Sequence, residues 1–198
     1  MIHFLQQLKY RNETMFYFGL ACLVLSILFL ILSKTSSTQV YGVSAWYKPF
    51  KFAFSTLTFA WAMGWYCYYL PNFNVNLFNW SIILLLGFEI AYIALQAGRG
   101  QLSHYNMSTP VYAALYSMMA MAASAATLYT AYVGYQFFSN DFPALPTYYL
   151  WAIRLSIVIF VIFSFEGFAM GSTLNHSVGA HNDNSNLFIM GWSKTVGD

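Results

Sequence analysis

Five long apolar stretches, at about 16–33, 52–70, 80–96, 111–138 and 150–174, make up most of this 198-residue chain. A helix crosses the ~30 Å hydrocarbon core with ~20 apolar residues at ~1.5 Å rise each. Each stretch is of that order. The run from Leu23 to Leu32 is apolar except for Ser26 and shows no alternation. A transmembrane barrel instead needs alternating segments of ~10 residues, so the expected fold is all-α, a polytopic bundle of five spans. Charged residues are only 7% of the chain, against roughly a quarter in soluble domains. Residues 1–174 therefore read as one membrane-embedded bundle and 175–198 as a polar loop or tail.

Lys9 and Arg11 before the first stretch resemble a signal-peptide start. The apolar run is longer than the ~7–15 residues of a signal core, and no small-residue cleavage site follows. An uncleaved first helix is expected. Cys22 and Cys67 lie in apolar segments outside any Cys-x-x-Cys motif, which predicts buried, unreactive thiols. No basic run calls for nucleic acid, and no metal-ligand spacing is present.

Loops alternate between two sides. The N-tail, 71–79 and 139–149 share one, the N-tail side. Residues 34–51, 99–110 and the C-terminal tail share the other, the motif side. A count of Lys and Arg puts the motif side in the cytoplasm: Lys34, Lys48, Lys51, Arg99 and Lys194 against Lys9 and Arg11. Discounting Lys48, Lys51 and Arg99 as site residues leaves two on each side.

Ala122, Ala126, Thr130 and Gly134 recur every fourth residue, a small-residue face suited to close helix contact. The Met118, Met119 and Met121 group suits adaptable packing. Aromatics such as Trp46, Tyr47, Tyr69, Trp80 and Tyr149 gather at segment ends, as at a bilayer interface.

Ionisable groups inside the spans need a reason, because each is costly in hydrocarbon. Glu89 sits mid-way through the third stretch, and Tyr92, Gln96 and Arg99 follow at three- and four-residue steps. They form one stripe that must face protein or a cavity. Arg154 and Glu166 are twelve residues apart in the fifth stretch, ~18 Å along the axis. Depth favours Glu89–Arg154 as one ion pair and Lys51–Glu166 as a second. Lys48 and Lys51 flank Pro49 at a helix start, opposing the helix dipole, as if facing an anion. Ser55 and Thr58 continue the Lys51 face inward. His104 follows Gly98 and Gly100 in a loop.

Lys48-Pro49-Phe50-Lys51-Phe52 with Ser55, Gln96-Ala97-Gly98-Arg99-Gly100 leading to Ser103-His104-Tyr105-Asn106, and Gly191-Trp192-Ser193 through Gly197-Asp198 form a combination. Together they resemble an uncharacterised family of bacterial multi-pass membrane proteins. The resemblance implies a topology, a bacterial cytoplasmic membrane and a chain that continues past Asp198 with further helices. It implies no activity.

The leading functional expectation is a polar intramembrane cavity that binds or moves a small anion or protons. Lys48, Lys51, Arg99 and His104 would stand at its mouth, with Glu89, Gln96, Arg154 and Glu166 lining it. No cofactor and no metal is expected on this reading. A haem- or quinone-binding redox protein using His104, His176 or His181 is the alternative, and a structural or assembly subunit is the third. No catalytic motif points to an enzyme.

Overall fold

The computed structural model describes residues 2–40 and 42–172. The described residues are all-α apart from one short hairpin. The elements are α1 (Ile2–Arg11), α2 (Glu13–Thr35), β1 (Gln39–Val40), β2 (Val43–Ser44), α3 (Tyr47–Cys67), α4 (Val75–Gly98), α5 (Pro110–Ser139) and α6 (Thr147–Ser172). β1 and β2 pair antiparallel, Gln39 opposite Ser44, and Gly42 takes the positive φ of +79° in their turn. The expected tail 175–198 and the last residues of the fifth stretch lie outside the described residues.

Among the described residues four helices are long and apolar enough to cross a bilayer: Glu13–Thr35, Val75–Gly98, Pro110–Ser139 and Thr147–Ala169. The fifth expected span, α3, is less apolar. Lys48, Lys51, Ser55, Thr56, Thr58 and Gly64 dilute it. α3 also starts five residues before the apolar run at 52, because Pro49 fits a first turn. It ends at Cys67, ahead of a turn in which Asn72 holds a φ of +53°.

Caps set the other boundaries. The Asn74 side chain accepts from Leu77 N at 3.0 Å and opens α4 five residues before the expected start. Thr109 accepts from Tyr112 N at 3.3 Å with Pro110 at the first helical position. The N-tail is a helix, which hydropathy did not anticipate. Asn12 breaks it from α2 and caps α2 by accepting from Met15 N at 3.1 Å. At ten residues α1 is too short to span.

Packing follows small residues. Against Gly19 of α2 lies the Trp61 indole of α3, and a Cβ there would stand 2.1 Å from its nitrogen. That nitrogen donates to Phe16 O at 3.2 Å. A Cβ on Gly134 of α5 would meet Ile157 of α6 at 2.8 Å. The four-residue face is thus a contact face, with Ala122, Ala126, Thr130 and Gly134 all buried. Cys22 and Cys67 are buried free thiols, as expected.

The largest apolar cluster lies in the N-tail half and joins five helices, with Met15, Met63, Phe78, Ile82, Val133, Phe137, Ile153 and Ile157 among its members. In the motif half the core divides. One cluster wedges α2, α3 and α4 around Cys22, Phe29, Leu57 and Ile90. Another joins Tyr92, Ile93 and Met119 across α4 and α5. Beyond Ile157 α6 touches the core only at its edge, where Val161 packs against it and Phe160 meets the Phe59 ring at 5.0 Å, while Ile162, Phe163, Phe165 and Phe168 are exposed.

Candidate functional site

The centre of the buried face of α4 carries Phe78, Ile82, Glu89 and Gln96, at 0, 0, 3 and 0% exposure. At 100° per residue these four lie within a narrow sector. The line changes character along its length, apolar in the N-tail half and polar in the motif half. Tyr92 lies beside it, also buried. The expected stripe therefore faces protein, as far as Gln96. Arg99, at its end, is exposed, with its guanidinium 5.9 Å from the Tyr112 ring.

Gln96 donates from Nε2 to Tyr92 Oη at 3.1 Å and to Leu102 O at 3.2 Å. Both amide hydrogens are committed, and Gln96 Oε1 has no partner. Glu89 Oε1, two turns deeper, is also buried and unpartnered. Leaving a buried polar oxygen unpaired costs about 1–3 kcal/mol, more if charged. Native interiors almost always satisfy such atoms with protein or water. Two on one face of one helix are a signature of a site that takes hydrogen-bond donors.

The expected ion pairs are not made. Arg154 donates from Nε to Phe137 O at 2.9 Å and packs against the rings of Phe138 and Trp151. It thus serves the C-terminal turn of α5, where carbonyls lack helical partners and a cation complements the dipole. Glu89 Oε1 has no partner among the described residues. Lys51 is exposed and Glu166 half-buried; they form no ion pair. Ser55 and Thr58 are exposed too, and their hydroxyls turn back to Phe52 O and Ser55 O. The inward face of α3 is instead Pro49, Ala53, Thr56, Leu57 and Ala60. Lys9 and Glu13 form an ion pair on the surface, 3.8 Å apart.

At the motif end the β1–β2 hairpin sits over the end of α4. Gly100 holds a φ of +64° close to Thr38 and Gln39, and Gly98 faces the Trp46 ring. Trp46 stacks on Phe29 with ring centroids 5.8 Å apart. Ser44 Oγ and Trp46 Nε1 are the other buried unpartnered atoms among the described residues. Neither was among the sequence candidates, and no local pattern marks them.

His104 lies half-buried beside the rings of Tyr105 and Tyr116, with Ser103 Oγ 3.1 Å from Nδ1. Burial, and then the nearby positive charge of Lys48, hold its imidazole below its ordinary pKa, so it is neutral at pH 7. No group of three metal-ligating side chains occurs among the described residues; His176 and His181 lie outside them.

The site thus reduces to Glu89, Tyr92 and Gln96, with Lys48 and His104 near the rim, Arg99 and Lys51 on the outer surface, and Arg154 at the opposite end. No known protein family, curated protein or solved structure matches this chain.

Proposed function

We propose that this is a five-span integral protein of a bacterial cytoplasmic membrane in which Glu89 exchanges protons within the bilayer. α3 is the fifth span in this reading. Its packing between α2 and α6 supports that role: Trp61 reaches Phe16 of α2, while Trp65 donates to Tyr149 and Ser156 to Tyr66 across to α6.

The observation that carries the reading is the pair of unpartnered buried oxygens on Glu89 and Gln96. They favour a proton, or water carrying one, over an anion. Of the cations that would draw an anion, Lys51 and Arg99 are exposed, Arg154 is engaged with Phe137, and Lys48 lies by His104 at the rim. The titratable groups of the motif half include Tyr92 and Arg99 on α4, Lys48 and Lys51 on α3, Lys34 on α2, Tyr112 and Tyr116 on α5, Glu166 on α6 and His104 in the α4–α5 loop. An intramembrane carboxyl facing the bundle interior is a recurrent part of proton relays.

A hydrophobic carbodiimide, which attacks carboxyl groups inside membranes, tests this. On the native chain in lipid, mass spectrometry is expected to find the adduct on Glu89 and none there in Glu89→Gln. A native chain unmodified at Glu89 would overturn the reading.

A further inference from the structure

The interior is graded from one end to the other. In the N-tail half every helix of the bundle sends bulky apolar groups inward: Met63 from α3, Phe78 and Ile82 from α4, Val133 and Phe137 from α5, Ile153 from α6. Aromatic contacts close this end further. The Phe78 ring meets Tyr129 edge-on at 5.0 Å and Phe73 at 5.8 Å, and Phe137 stacks on Phe142 at 5.0 Å. The buried polar side chains of this half are paired within it, Asn12 with Asn79 and Thr130 with Ala126 O, so the close-packed layer leaves them nothing to offer water or ions.

In the motif half the inward residues become small or polar. α3 offers Thr56, α4 offers Glu89 and Gln96, and α5 offers Ala122, all buried. The apolar clusters there stand to either side of the Glu89–Gln96 line, one toward α2 and one toward α5. α6 there is mostly exposed. Glu89 lies nine residues from the motif end of α4 and fourteen from its start, or ~14 and ~21 Å along the axis.

We infer that Glu89 communicates with the aqueous phase on the motif side alone, through a wet passage relayed by Gln96 and closed beneath by Phe78, Ile82, Val133 and Phe137. This rests on the reading of Glu89 as a proton site and adds its sidedness. Gln96 is a positioning residue here. Its amide group is fixed by Tyr92 and Leu102, which leaves Oε1 to accept from a water between the rim and Glu89. Proton exchange in this conformation is then half a path: the proton enters and leaves by the same side.

Single cysteines in a Cys22→Ala, Cys67→Ala background, labelled with a membrane-impermeant maleimide in sealed vesicles of either orientation, test the inference. Gln101→Cys and Asp141→Cys report the two surfaces. Glu89→Cys and Gln96→Cys are expected to label only from the side that labels Gln101→Cys, and Phe78→Cys from neither side. Labelling of Gln96→Cys or Glu89→Cys from the Asp141 side, or labelling of Phe78→Cys, would overturn it. Should the Glu89 variant fail to fold, a water-soluble carbodiimide on the native chain replaces it, with modification of Glu89 expected from the motif side only. Modification from both sides would leave Glu89 a proton site but remove its sidedness. Modification by the hydrophobic carbodiimide alone would remove the wet passage and leave the proton site standing.

Discussion

Glu89 and Gln96 stand two turns apart on the most buried line of α4, and each holds an oxygen with no hydrogen-bond partner. A helix line that is apolar at Phe78 and Ile82 and polar at these two positions divides the bundle into a sealed half and a half suited to water.

That division predicts how Glu89 variants behave. If Glu89 were one half of a structural ion pair, its loss would cost about 3–5 kcal/mol by stranding the partner charge. With no partner, Glu89→Leu removes an unsatisfied group and is expected to unfold in detergent at a temperature no lower than the native chain. Thermal unfolding of the purified variant reads this directly.

Arg154 is expected to be energetically independent of Glu89, because it is held by Phe137 O rather than by the carboxylate. A double-mutant cycle of Glu89→Gln with Arg154→Gln should give a coupling below about 0.5 kcal/mol, the level of separated sites. Arg154→Gln alone should destabilise the chain, by loss of the charged bond to the end of α5.

Asn12 and Asn79 exchange two hydrogen bonds, at 3.0 and 2.8 Å, and both are buried. The pair ties the α1–α2 junction to the start of α4. Asn79→Leu strands one donor and one acceptor contact, with an expected cost of about 1–3 kcal/mol. Asn12→Ala also removes the cap on α2, worth about 1 kcal/mol, and should be the worse of the two in denaturant titration.

Gly134 permits the approach of α5 and α6. Gly134→Ala forces Ile157 to move, and overpacking of this kind costs about 1–3 kcal/mol. Shortening the neighbour, in Gly134→Ala with Ile157→Val, should recover part of the loss.

His104 supplies a pH dependence. Its folded-state pKa lies below the ordinary 6.5 through burial and Lys48. As pH falls below about 6.5 the unfolded chain takes up the proton that the folded chain refuses. Stability is therefore full above that range and declines as pH falls through it. His104→Gln should flatten this part of the stability profile.

Much of this was legible in the residues. Apolar runs mark the helices, and three- and four-residue steps place Glu89, Tyr92 and Gln96 on one inward face. The alanine and glycine spacing of α5 marks its contact face. The ion pairs were not legible, because depth along an axis says nothing of rotation about it. Depth read from the sequence makes Arg154 a plausible partner of Glu89, yet in the fold it sits at the opposite end and turns to the open carbonyls of α5. Lys51 shares a helix with buried Thr56 but lies on the outer face. The α1 helix escaped hydropathy because its apolar residues cover one side only, with Leu8 buried and Tyr10 exposed.

The most direct measurement is an infrared difference spectrum of the native chain in lipid, taken while bulk pH is stepped and repeated in heavy water. The account predicts a carboxyl signal that titrates, shifts on deuteration and is absent from Glu89→Gln. A native spectrum with no such signal, or one unchanged in Glu89→Gln, would contradict it.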